Sequence, residues 1–215
     1  MSFVITIAQR KGGAGKTTLA CQLTATLLSI GYRVAGIDLD DQGSFSYWVR
    51  TRQKRLGEEP RFSFEAPPSY GLATALRRHR ADDFVIIDTA PLADHTVKRA
   101  IREADLVLSP LQLTPLDLDA SLPTARLIGE EGRPARFVIN RTPPRARIAD
   151  LIREQIKKNG LPLLDVEFGN RAAFAESIAR GAGVVETDPS SIAADEARRL
   201  VRAVMANAGR SLEAA

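Results

Sequence analysis

Near the start of the chain an apolar run, Phe3-Val4-Ile5-Thr6-Ile7-Ala8, breaks into Lys11-Gly12-Gly13-Ala14-Gly15-Lys16-Thr17-Thr18 and resumes as a helical pattern from Lys16 to Ser29. A strand that ends in glycines and a Lys-Thr pair before a helix is the layout of a phosphate-binding P-loop. Glycines let backbone N–H groups turn toward an anion, and the following helix adds the positive end of its dipole. On this reading Gly12, Gly13, Ala14, Gly15, Lys16, Thr17 and Thr18 wrap phosphates. Lys16 lies against the β- and γ-phosphates, and the Thr17 hydroxyl lies on Mg²⁺. Two departures constrain the reading further. Arg10 occupies the place of the pattern's usual first glycine, and a second lysine, Lys11, stands inside the loop. Lys16 already neutralises the phosphates of its own site, and two ammonium groups so close repel unless an anion lies between them. Lys11 is therefore expected to turn away and reach nucleotide on a second copy of the chain, as a cation acting in trans on the transferred phosphoryl group.

Three later segments are apolar strands that end in polar side chains. They are Arg33-Val34-Ala35-Gly36-Ile37-Asp38-Leu39-Asp40, then Asp83-Phe84-Val85-Ile86-Ile87-Asp88, then Arg136-Phe137-Val138-Ile139-Asn140-Arg141. In a parallel sheet such strand ends lie beside the loop, where ligands bind. Asp88 reads as the acid of a buried strand that holds Mg²⁺ through water.

Lys11 to Thr18 resembles the deviant Walker A signature of the ParA/MinD family of P-loop ATPases. The three later blocks agree with that family in order and spacing, so the resemblance covers essentially the whole chain. It implies that Asp40 orients or activates the attacking water, that Asp38 is a Mg²⁺-water ligand or a loop anchor, and that residues 89–95 form switch II. It also implies that Asn140 reads the adenine edge, with Arg141 beside it at the nucleotide or on DNA. Asp41 stands where the family usually has proline; losing proline's fixed φ should loosen this loop and touch turnover more than binding.

Strands are expected near Phe3–Ala8, Arg33–Ile37, Arg61–Phe64, Phe84–Asp88, Leu106–Pro110, Arg136–Asn140 and Leu163–Val166. Helices are expected over Lys16–Ser29, Ser44–Arg55, Gly71–His79, His95–Glu103, Asp117–Glu130, Ile148–Lys158, Ala172–Arg180 and Ser190–Ala208. This alternation predicts a single-domain α/β P-loop NTPase over residues 1–208, with a mostly parallel twisted sheet and helices on both faces. Residues 209–215 read as a frayed tail. No apolar stretch approaches a membrane span. Cys21 is the only cysteine, so neither a disulfide framework nor an iron–sulfur cluster of the nitrogenase iron protein type is supplied. His79 and His95 lack a matched ligand set for zinc.

Lys plus Arg total 30 against 26 Asp plus Glu, a net charge of +4, but the arginines are clustered. The groups are Arg50, Arg52, Lys54 and Arg55; Arg77, Arg78 and Arg80; Arg141, Arg145 and Arg147; and Arg198, Arg199 and Arg202. Such clusters suit phosphate backbones read without sequence. The resemblance implies non-specific DNA binding by arginines that come together in the ATP dimer, and Arg141, Arg145, Arg147 and Arg171 are the candidates. The last helix carries an apolar stripe of Ala193, Ala197, Leu200, Val201, Val204, Met205 and Ala208. Its polar face holds both charge signs, which suits packing on the body better than a MinD-type membrane anchor. Trp48, in a Gly-Ser-x-Ser-x-Trp run, also suits the small ParA branch or simple core burial.

The expectation is therefore a cytoplasmic, nucleoid-associated ATPase using ATP and Mg²⁺. It would form an ATP-bound homodimer, hold non-specific DNA and answer to a cargo-linked activator protein. Its cargo would be a plasmid, a chromosome region or a large protein cluster. The alternatives are a membrane-associated MinD-like positioning ATPase and a P-loop small-molecule kinase or amidoligase, for which so compact a chain offers little room.

Overall fold

The computed structural model describes residues 1–91, 95–143 and 147–209, the side chains of Arg147 and Ile148 excepted. Its strands are β1 (Phe3–Ile7), β2 (Val34–Leu39), β3 (Phe62–Glu65), β4 (Phe84–Thr89), β5 (Leu106–Leu111), β6 (Ala135–Thr142) and β7 (Leu163–Gly169). They form one sheet in the order β3-β2-β4-β1-β5-β6-β7, every pair parallel. The connecting helices are α1 (Lys16–Ser29), α2 (Ser44–Leu56), α3 (Leu72–Arg78), α4 (His95–Arg102), α5 (Pro115–Glu130), α6 (Arg147–Lys158), α7 (Ala172–Ala179), α8 (Val184–Thr187) and α9 (Ile192–Asn207).

Parallel strands covered on both faces must be apolar throughout, and β4 meets that demand. Phe84 and Ile86 point to one face, packing in a core with Leu19, Leu23, Leu200 and Val204, whereas Val85 and Ile87 point to the other with Leu72, Ala75 and Ala100. The α9 stripe of Ala193, Ala197, Leu200, Val201, Val204 and Met205 is buried in the first of these cores. Its apolar face is thus spent on the body of the protein. Among the described residues no helix is long and apolar enough to cross a membrane.

The differences from expectation lie at element ends. β6 runs through Asn140 to Thr142 and β7 to Gly169. α5 starts at Pro115, two residues before Asp117, because Thr114 caps it by accepting from the Asp117 N–H. α8 went unpredicted, since four residues are too few to show a helical period. Trp48 belongs to the core: it stacks on Phe45 and donates its indole N–H to the Ala182 carbonyl at 3.1 Å.

The cluster of Arg50 to Arg55 also needs correcting as a surface patch. Arg52 is only 2% exposed and donates to Glu59, to Glu186 and to the Gly181 carbonyl. A buried guanidinium needs such partners, and these two carboxylates remove it from any DNA-facing surface. Arg78 is likewise paired with Glu65. The expected tail from 209 lies, beyond Gly209, outside the described residues.

Candidate functional site: a nucleotide cleft with two unlike lysines

The strand order sets the site. β1 lies between β4 and β5, and register places Ile7 beside Asp88 and Asp88 beside Asp38. The loop leaving β1 therefore turns over the carboxylates that end its neighbours. Gly13 (φ +73°) and Gly15 (φ +108°) take left-handed conformations that favour glycine. At Gly15 there is a second demand, because a Cβ there would lie 2.0 Å from the Asn140 amide nitrogen.

Lys16 is 7% exposed. Burial lowers its pKa, and the opposing pull of Asp88 and Asp40 favours the ammonium form. Thr17 donates its hydroxyl to Asp88 Oδ2 at 2.6 Å. Asp88 is fully buried, and burial pushes its pKa up to about 7; the Thr17 hydrogen bond and Lys16 oppose this, while Asp38 and Asp40 add to it. Its other oxygen, Oδ1, is buried and makes no hydrogen bond. One ammonium, Lys16, faces three acids here, so the site is short of positive charge, and a divalent cation beside Thr17 and Asp88 fits that deficit.

Asp38 anchors the loop after β2. One oxygen accepts from the Ser46 N–H at 2.8 Å and the Ser46 hydroxyl at 2.7 Å, and the other accepts from the Asp40 N–H at 3.0 Å. That leaves Asp40 free of Asp38 except through its backbone. Asp40 is half-buried, accepts from the Gln42 N–H at 3.0 Å, and lines a cleft of about 420 Å³ with Gly12, Lys16, Thr17 and Arg141.

Asn140, expected to read the adenine edge, is tied to the phosphate loop and to its own neighbour. Its amide donates to the Ala14 carbonyl at 2.8 Å and its carbonyl accepts from the Arg141 N–H at 3.0 Å. The first bond ties β6 to the phosphate loop, and the two together leave one N–H and one lone pair of the amide for a ligand. Arg141 is the one non-glycine residue with positive φ (+54°) among the described residues, and this conformation sits at the rim of the nucleotide cleft.

The reason given for Lys11 also needs correcting. Its charge is not left over: Nζ pairs with Asp117 Oδ2 of the same chain at 2.8 Å, with the lysine side chain 36% exposed and the aspartate 4%. Asp117 Oδ1 has no partner. Around this pair, one face of α5 is hydrogen-bonded to the residues before the loop. Gln9 donates to Ser121 at 3.0 Å and accepts from Thr124 at 2.9 Å, and the Arg10 N–H donates to Thr124. Asp117, Ser121 and Thr124 fall at i, i+4 and i+7. That polar stripe was visible in the sequence, but nothing local says what it faces.

Of the four arginines assigned to DNA, two have described side chains. Arg141 lines the nucleotide cleft, and Arg171 is paired with Glu196 at 2.6 Å. Arg145 and the side chain of Arg147 lie outside the described residues, as do positions 92–94 of the expected switch II. A second cleft, about 920 Å³, opens beside the first between Asp40, Asp41, Arg50 and Pro67–Pro68, so the chain has more room for a small molecule than its compactness implied.

Residues 5–184 match the model of the CobQ/CobB/MinD/ParA nucleotide binding domain. The chain belongs to that family. Within it, the chain is 30% identical over 213 residues to the maintenance of carboxysome distribution protein A of Halothiobacillus neapolitanus, covering 95% of this chain and 97% of that protein. It is 28% identical to the chromosome-partitioning ATPase Soj of Thermus thermophilus, covering 94% and 95%. Among solved structures, an ATP complex of Cyanothece McdA superposes with a TM-score of 0.81 at 15% identity, covering 100% of this chain and 99% of that one. An AMPPNP-bound plasmid partition protein of Borrelia burgdorferi gives 0.79 at 20%, covering 96% and 99%. At those identities the superpositions establish the fold: the family's P-loop architecture with its parallel sheet.

Proposed function

We propose that the chain is an ATP-dependent switch that dimerises around nucleotide, holds DNA without reading sequence, and partitions or positions a cargo. An activator protein tied to that cargo stimulates hydrolysis. The observation that carries the reading is the contrast between the two loop lysines. Lys16 is buried among acids where phosphates belong, while Lys11 rests outside the cleft on a single carboxylate.

Thr17 and Asp88 would hold Mg²⁺, which when bound neutralises charge on the phosphates. The N–H groups from Gly12 to Thr18 and the Lys16 ammonium grip the phosphate oxygens. Asp40 orients the attacking water, and Asp38 keeps Asp40 in place through its backbone N–H. Lys11 leaves Asp117 for the γ-phosphate held by the second copy, trading one anionic partner for another; the phosphate contact must outweigh the cost of leaving the buried Asp117 carboxylate unpaired.

Support for positioning comes from relatives named for carboxysome distribution and chromosome partitioning. The cargo class here is a plasmid, a chromosome region or a protein cluster. Arg141, Arg145, Arg147 and Arg171 remain the DNA candidates; Arg171 must share its charge with Glu196. The burial of the α9 stripe disfavours α9 itself as the membrane anchor of a MinD-like role.

Asp40→Ala tests the cycle. It should bind ATP normally and stay on duplex DNA as a persistent mobility shift, whereas release at the wild-type rate contradicts the assignment. The second cleft favours one other reading, a small-molecule kinase or amidoligase. A soluble acceptor that accelerates ATP turnover without DNA or protein would support it.

A further inference from the structure

Arg10, Lys98 and Arg126 converge on a cleft of about 480 Å³ between α4 and α5, completed by Pro123, Leu127 and Glu130. The three cations come from separate places: the residue before the phosphate loop, the middle of α4 and the second half of α5. Some surface arginines meet carboxylates, as Arg102 meets Glu131, Arg153 meets Glu167 and Arg171 meets Glu196. Others, such as Arg50 and Arg136, stand without an ion pair among the described residues but lie outside this recess of converging cations. Among the described residues Arg10, Lys98 and Arg126 form no such pair. Neither Lys98 nor Arg126 lies in the last turn of its helix, where the helix dipole would account for a cation. Glu130 offsets part of the repulsion among these three like charges, the recess keeps an excess of positive charge, and a bound anion relieves what remains.

We infer that this cleft docks an acidic segment of a partner protein, one bearing Asp or Glu side chains and at least one apolar side chain. Charge complementarity calls for the carboxylates. Pro123 and the largely buried Leu127 give the recess an apolar wall, which suits a side chain better than a sugar-phosphate backbone. A duplex carries its phosphates on a convex, rigid surface, whereas a peptide can send side chains between two helices. The location adds a consequence. α5 supplies Arg126 to the cleft and Asp117 to Lys11, and Arg10 is fixed to Thr124 of the same helix. An occupant therefore sits on the helix that retains the loop lysine. The inference goes beyond the ATP switch, since the cleft lies within one chain and needs no second copy.

The probe is a short fluorescein-labelled peptide of glutamates with interspersed leucines, followed by anisotropy with the full chain. Wild-type protein should bind it, more weakly as salt rises. The double variant Arg10→Ala/Arg126→Ala should lose about tenfold or more in affinity, the equivalent of about 1.4 kcal/mol. Lys98→Ala should lose part of that, and both variants should keep the wild-type melting temperature because the changed side chains make no internal ion pair. Charge reversal by Arg126→Glu should weaken the glutamate peptide and strengthen a lysine–leucine peptide of equal length. Failure of wild-type protein to bind the acidic peptide, or unchanged binding by the double variant, would overturn the inference. So would loss of duplex DNA affinity in the double variant without loss of peptide affinity, which would make the cleft a nucleic-acid contact.

Discussion

The two lysines of one loop, five residues apart, have opposite surroundings. Lys16 is enclosed, with burial lowering its pKa and two acids holding its charge, and it can serve only the cleft it lines. Lys11 is a third exposed and held by one carboxylate across the loop's outer side. An enclosed cation is fixed in place and strengthened by low dielectric; a partly exposed cation can move to another anion, although here it would leave a buried carboxylate unpaired, so only a stronger anionic partner can draw it away. The first position is built for occupancy, and the second suits the transfer we propose for it. Sequence spacing alone makes the two look alike.

The comparison can be broken most severely at Lys16. Lys16→Ala should lower ATP affinity by about a hundredfold or more, measured by isothermal titration, because it removes a buried charge-assisted contact to phosphate. Retained affinity would mean that the enclosed lysine is not a phosphate ligand.

Asp88 is the next largest effect and carries a pH signature. Its folded pKa, about 7, lies above the ordinary carboxylate value, so the fold favours the protonated acid. The associated stability is present below the unfolded value and is lost as pH rises through about 7. The melting temperature of nucleotide-free protein should fall by a few degrees between mildly acidic and mildly alkaline pH. In Asp88→Asn that fall should largely disappear, along with Mg²⁺-dependent tightening of ATP binding. A wild-type curve flat across this range would contradict the raised pKa of this buried carboxylate.

A milder change sharpens the exchangeable side. Asp117→Asn keeps the shape and removes the charge that retains Lys11. It should lower, by a few-fold, the ATP concentration needed for half-maximal dimerisation, read by light scattering. Smallest is Asn140→Ala, which leaves the Ala14 carbonyl without its side-chain partner. It should cost about 1–3 kcal/mol of stability in urea denaturation while changing the preference for adenine over guanine little.

Much of this was legible in the sequence, for identifiable reasons. Phe84 to Asp88 reads as a buried strand because it is apolar at every position, and the Gly-Lys-Thr turn declares its purpose through residues that few other structures need. Asp40 and Asp88 could be placed because strand ends in a parallel sheet converge. What stayed hidden depends on contacts between distant residues. The Lys11–Asp117 pair spans 106 positions and the Asn140–Ala14 bond 126. Arg52, on a helix face with Lys54 and Arg55, looks solvated in sequence, yet Glu186 from 134 residues away buries it. Local pattern reports which residues are charged, and only the fold decides which of them are already matched.

The central claim is that Lys11 leaves Asp117 to complete a nucleotide site on a second copy. Sedimentation velocity of wild-type protein and Lys11→Ala, each with Mg²⁺ and a non-hydrolysable ATP analogue, tests it most directly. The account predicts a dimer for wild type and a monomer for the variant, with matching analogue affinity in the two monomers at low protein concentration. A variant that dimerises as the wild type does would contradict it.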